Sequence, residues 1–314
     1  MRTFLTAAPV AVMLLVCPGV NQAQTKSSPK QLFEALATNK HNDALKLVQT
    51  TSDINYCDKS GASLLMCSAE TGATDVCRAL LDRGADYSHR SGNGITALYL
   101  AAQNGHTEVV RTLIEKGAAP DARPDNGATP LTVASEFGHT DVVRILAENG
   151  ANTNLQDNHG STALILASQN GYAEIAEILL GKSTDINIVD KNGSSALILA
   201  AQEGHAEIVR LLLEHGANTD LQTVNGNTAL ILASLMGHQD IAQMLLTNGA
   251  QVDLKTGTGA TALFAAASRG HCQIVTILLE MGADPFVKDS QGKTAFIYSR
   301  DYKVKTILTA WTKK

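Results

Sequence analysis

Aromatic residues make up only 4% of this 314-residue chain, with a single Trp, although 44% of its residues are hydrophobic. That scarcity argues against a thick globular core and for thin layers of Leu, Ile, Val and Ala. Runs of basic residues are missing too. The net charge is −5, and no cluster of five or more Lys/Arg occurs. Non-specific nucleic-acid binding rests on many basic contacts to phosphate, so nucleic acid is set aside as a partner. Neither a G-x-S-x-G elbow nor a G-x-x-x-x-G-K-[ST] loop is present, which removes the two commonest signatures of a nucleophilic Ser and of a phosphate cradle. No nucleophile–base pair or metal cluster converges in the sequence. The reading is therefore non-enzymatic, with no cofactor and no metal.

What is present begins with a leader. Met1–Arg2 gives a basic start, Leu5–Val16 is an apolar run, and small or polar residues follow. This pattern reads as a secretory signal peptide over residues 1–23. It is too short for a membrane span, which needs about 20 apolar residues, and no later stretch reaches that length. Leu14–Leu–Val–Cys17 is only a faint lipoprotein box, because Val16 does not suit the position before the Cys. The mature chain is expected to be exported, periplasmic or secreted, with no membrane span; a structural component of the periplasm or envelope, or a regulator of an enzyme or of small-molecule chemistry, is the alternative to a binding scaffold.

The rest of the chain repeats. Gly160–Ser–Thr–Ala–Leu–Ile–Leu–Ala–Ser168 returns 33 residues later as Gly193–Ser–Ser–Ala–Leu–Ile–Leu–Ala–Ala201, and again as Gly226–Asn–Thr–Ala–Leu–Ile–Leu–Ala–Ser234. Glycine stands at 61, 94, 127, 160, 193, 226, 259 and 292, always 33 apart, with Ser or Thr two residues on. A second glycine falls at 72, 105, 138, 171, 204, 237 and 270, and His follows it at 106, 139, 205, 238 and 271. A fixed period of this length marks a stacked array in which each unit shares its core with its neighbours.

The physics of one unit is local. Tips such as Asn192–Gly193 supply turn residues. The Ser or Thr after the glycine caps a first helix, worth about 1 kcal/mol. The mid-unit glycine ends that helix in the left-handed conformation. A second helix such as Glu207–Ile–Val–Arg–Leu–Leu–Leu213 buries Ile208, Leu211 and Leu212. One unit departs: it has Ser183–Thr184 where others read Gly-Ala, with Gly181 two residues early. Its second helix is expected to stop a turn short, with a non-Gly residue in the left-handed cap at about 1 kcal/mol. The array should be softest near 181–186.

This pattern resembles the ankyrin repeat, over about residues 28–314. The family motif Thr-Pro-Leu-His-x-Ala survives in part, as Thr129–Pro130–Leu131; most units read Thr-Ala-Leu instead. The resemblance implies an all-α solenoid of about nine helix–turn–helix units. The expected layout is a linker and N-terminal capping repeat over 24–57, seven full repeats over 58–288, and a C-terminal capping repeat over 289–314. The N-terminal cap opens at Pro29 and puts Leu32, Phe33 and Leu36 on one face. In the last unit Lys303 stands where others have the mid-unit glycine.

The resemblance also implies a protein partner, which it does not name, gripped by a concave face of turn tips and first-helix surface; the protein itself is expected to be a monomer. The positions that vary from unit to unit locate that face. Phe137, Leu235 and Met236 are the expected apolar anchors. Glu136, Gln169, Gln202, Asn93, Asp125, His159 and Lys191 are the expected polar contacts, and Val224 and Arg269 occupy further variable positions.

Other features have plainer readings. Stacked helices lie about 8–10 Å apart while zinc ligands sit about 2 Å from one ion, so the registered histidines are a polar entry to the second helix. Gly257–Thr–Gly259–Ala–Thr–Ala262 matches a dinucleotide fingerprint, but it is the same tip as in every other unit and lacks the strand that fingerprint needs. Asn192–Gly–Ser194 is the one glycosylation sequon. Cys67 and Cys77 replace apolar helix residues of other units, as small buried hydrophobes. A Cys67–Cys77 disulfide is the alternative, since antiparallel helices bring such positions close.

Overall fold

The computed structural model describes residues 27–312. The leader over 1–23 lies outside the described residues. Eighteen α-helices follow one another in pairs, and two isolated bridges, Cys57 with Ser63 and Val189 with Ser195, are the only extended pairings among the described residues. First helices stack on first helices and second helices on second helices, from unit to unit. The result is a two-layered solenoid with one continuous core.

The sequence pattern accounts for each helix. In units one to six the Ser or Thr hydroxyl accepts from the backbone N–H three residues on: Ser63 from Met66, Thr96 from Tyr99, Thr129 from Thr132, Thr162 from Ile165, Ser195 from Ile198 and Thr228 from Ile231. The mid-unit glycines all take positive φ, as at Gly204 with 83°. The second helix Ala206–Glu214 buries Ile208, Val209, Leu211 and Leu212. A fully buried side chain of this size stabilises by about 1.5–3 kcal/mol, and the column repeats in every unit.

Three ladders tie the units together. At the tips, a backbone N–H donates to the carbonyl of the preceding tip: Asp125 to Asn93, Asn158 to Asn126, Lys191 to His159, Val224 to Asn192, Gly257 to Asn225 and Ser290 to Thr258, at 2.8–3.0 Å. At the opposite end of the units, Asp121, Asn154, Asn187 and Asp220 accept from the backbone N–H of the next unit at 2.8–3.0 Å. The third ladder belongs to the histidines. Nε2 of His106, His139, His205, His238 and His271 donates to the carbonyls of Glu70, Gln103, Gln169, Gln202 and Leu235, at 2.9–3.2 Å. These rings are rivets between units, a role the sequence reading did not give them. Each ring fills the space that a Cβ on the preceding glycine would need: one added at Gly204 would lie 2.6 Å from Cε1 of His238. Tyr172 takes the same seat over Gly138.

Two local expectations about the departing unit are corrected. The second helix of the departing unit runs Ala173–Leu180, eight residues against nine in the next unit, so it loses one residue rather than a turn. No residue there adopts the left-handed cap: Gly181 has φ −70°, and Asn39 is the sole non-glycine with positive φ among the described residues. Elsewhere the backbone N–H of the closing Ala bonds a Leu carbonyl, as Ala217 does to Leu212. Here the Thr184 hydroxyl donates to the equivalent Leu179 carbonyl at 2.6 Å and lies 2.9 Å from the Thr153 hydroxyl. The cap strain is therefore replaced by a side-chain bond.

In the last unit Lys303 is inside a helix, not at a break. Without a glycine the first helix is only Ala295–Tyr298, and Asp301 caps the second, Tyr302–Trp311, by accepting from Lys303 and Val304. At the other end the Pro29–Ala37 helix buries Leu32 and Leu36, with Phe33 half-buried beside them.

Cys67 and Cys77 are free thiols, so the disulfide alternative is not taken up. Each is packed in the continuous apolar core. Burial pushes both thiols up to about 12, the behaviour of inert core cysteines.

Candidate partner-binding face

The expected polar contacts sit where the register put them. Asn93, Asp125, His159 and Lys191 are exposed at successive tips; Glu136 and Gln169 are exposed at first-helix ends, and Gln202 is half-buried there. Phe137 is 49% exposed and Met236 53%. Phe137 stacks on His139, with ring centroids 6.4 Å apart. Leu235 is the correction. It is half-buried and packs against the core, because the first helix of the next unit lies alongside it.

The structure does not bring these residues into one pocket. It places an open groove of about 720 Å³ across the last three units instead. The tips contribute Val224, Asn225 and Asn227, then Thr256–Thr258, then Asp289–Gln291; the first helices contribute Ile231, Leu235, Phe264, Ala265, Ser268 and Tyr298. Of the expected anchors only Leu235 lines it, together with the variable-position residue Val224.

The groove exists because unit seven is stripped of bulk. The column holding Leu100, Val133, Leu166, Leu199 and Leu232 reads Ala265 there and Tyr298 next. The tip position holding Lys59, Asp125, Asn158, Lys191 and Val224 reads Gly257, as it reads Gly92 in the second unit, but only in unit seven does that glycine stand beside an alanine in the first-helix column. Ala260 and Ser268 complete the hollow. The signal was legible in the sequence, as small residues in place of large ones.

Electrostatics divide the array. Residues 223–314 carry nine Lys/Arg against six Asp/Glu, while 1–222 carry 16 against 24. Five cations, Lys46, Arg111, Lys116, Arg144 and Arg210, make all six ion pairs among the described residues, and they and their carboxylates all lie on exposed surface before residue 223. Arg269, exposed at the end of the first helix of unit seven, joins none of them. Asp289 in the groove wall accepts from the Tyr298 hydroxyl and from the backbone of Gln291 and Lys293. The Tyr298 bond first, then its other donors, hold this carboxyl below the usual range, and the same bond raises the Tyr298 hydroxyl. Lys293 Nζ stands 5.6 Å from the Tyr298 ring centroid. Thr261, fully buried in the groove lining, has no partner for its Oγ1, unlike the six capping hydroxyls before it.

No group of three or more His, Cys, Asp or Glu is placed to hold a metal ion among the described residues. None of their helices is long and apolar enough to cross a membrane.

Paired helices, a fixed period and tip-to-tip bonding define the class as a helix-pair repeat solenoid. The family follows from the match of the chain to two sequence models: "Ankyrin repeats (3 copies)" over 32–124, 119–190 and 182–256, and "Ankyrin repeats (many copies)" over 237–299. The chain belongs to the ankyrin-repeat family, whose members are generally protein-interaction scaffolds. Among solved structures it is similar to the ankyrin repeat domain of Bcl-3, described as a unique member of the IkappaB protein family, at 30% identity and a TM-score of 0.62, covering 69% of this chain and 99% of that one. No curated protein matches.

Proposed function

We propose that this protein is an exported, non-enzymatic scaffold that binds a partner protein through its concave face. The observation that carries the reading is exposed apolar surface on the array: Phe137 and Met236 are about half exposed at first-helix ends, and a groove lined by Leu235 opens across the last three units. A few apolar or aromatic anchors commonly dominate such interfaces, each worth about 2 kcal/mol or more. Export rests on the basic start and apolar run before residue 24.

Two measurements test this. A pull-down with the mature chain, repeated with Phe137→Ser plus Met236→Ser, should lose at least tenfold of the affinity for whatever protein it retains, at an unchanged melting temperature. Unaltered binding by the double variant removes these anchors. N-terminal sequencing of protein from its native host should begin between residues 18 and 25; an intact Met1 refutes export.

A further inference from the structure

We infer that the groove of the last three units is the seat of an extended, acidic and apolar segment of the partner. The inference rests on the reading that the concave face binds protein, and it names the chemistry of what is bound. Three features point the same way. The floor is apolar, with Ile231, Leu235, Phe264 and Tyr298 facing a hollow that Ala265 leaves unfilled. The hollow crosses three consecutive tips, two steps of about 10 Å each, which about six extended residues cover at about 3.3 Å apiece. Charge enters beside the lining: the Asp289 carboxylate in the wall stays ionised and is offset by Lys293, whose Nζ lies over the Tyr298 ring and donates to Gln291, so Arg269, next in sequence to the lining residue Ser268 and in no ion pair among the described residues, is the cation in excess.

Charge complementarity selects the occupant. A segment with one branched or aromatic side chain fills the space that Leu occupies in units two, four, five and six. A carboxylate next to it reaches the Arg269 guanidinium, which favours planar, two-point recognition of such a group. A basic segment would meet a region with three more cations than anions.

The test is a selection of random heptapeptides displayed on phage against the full chain. Synthetic copies of the enriched sequences are then measured by fluorescence polarisation. Enriched peptides should pair Asp or Glu with a large apolar residue, and their affinity should fall as salt is raised. Ala265→Leu fills the hollow with the residue of the neighbouring units, so it should weaken binding at least tenfold while leaving the melting temperature equal or higher. Arg269→Glu with Lys293→Glu should weaken it by a similar factor, and Phe137→Ser should not. Failure to enrich any peptide, enrichment of basic ones, or binding indifferent to both groove variants overturns the inference. If the pull-down partner is retained by Ala265→Leu but lost with Phe137→Ser plus Met236→Ser, the groove assignment falls and the scaffold reading stands.

Discussion

A glycine and a ring on the next unit form the smallest working part of this array. Gly204 sits at φ 83° beneath His238, whose Nε2 reaches the Gln202 carbonyl. Gly204→Ala puts a side chain into the left-handed region, at about 1–2 kcal/mol, and into the ring as well. Its melting temperature should drop by several degrees. Gly216→Ala, at φ 79° with nothing within 4 Å of the added carbon, should lose less. His238→Ala in the Gly204→Ala background should cost less than the sum of the two single changes, since the clash is gone; simple additivity refutes the contact. The histidines also show what was hidden at this scale. Their period was plain in the sequence, but their partner is a main-chain carbonyl 36 residues earlier. No residue type at that position announces an acceptor, so the bond could not be read.

Helices and their ends were the most legible level. Periodic Leu and Ile, capping hydroxyls and closing glycines act within a few residues, so local chemistry decides them. The exceptions arise where one repeat substitutes a different solution. At the second helix of unit four, Thr184 bonds the Leu179 carbonyl through its side chain where other units use a backbone N–H. Thr184→Ala should leave that carbonyl short of a donor and cost about 1–2 kcal/mol in a urea titration, whereas Thr184→Ser should stay near the parent. An alanine variant as stable as the parent would show that water replaces the hydroxyl freely. The first helix of the last unit shortened for a related reason. Where no glycine marks the break, Asp301 sets it by capping the next helix early.

Over the whole molecule stability is a near-sum of units and their junctions. Removing 190–222, one full period, rejoins equivalent surfaces and should leave a folded helical protein. Removing 190–205 leaves a lone second helix and should give a lower melting temperature and lost helicity by circular dichroism; equal stability of the two would refute the register. The candidate site was less legible than the fold at this scale. Searching for large apolar residues located Phe137 and Met236, while the hollow arises where Ala265 replaces the Leu of other units beside Gly257, a signal written in the sequence as small residues. Its extent over three tips shows only when those units are seen side by side. The division of charge has one more consequence. Acidic and basic parts lie apart along an elongated body, several tens of ångströms against a screening length of about 8 Å in physiological salt. A charged neighbour therefore exerts a torque before it touches, turning the rod so that an acidic surface meets the groove end first. The long axis acts as a compass needle, and orientation precedes encounter.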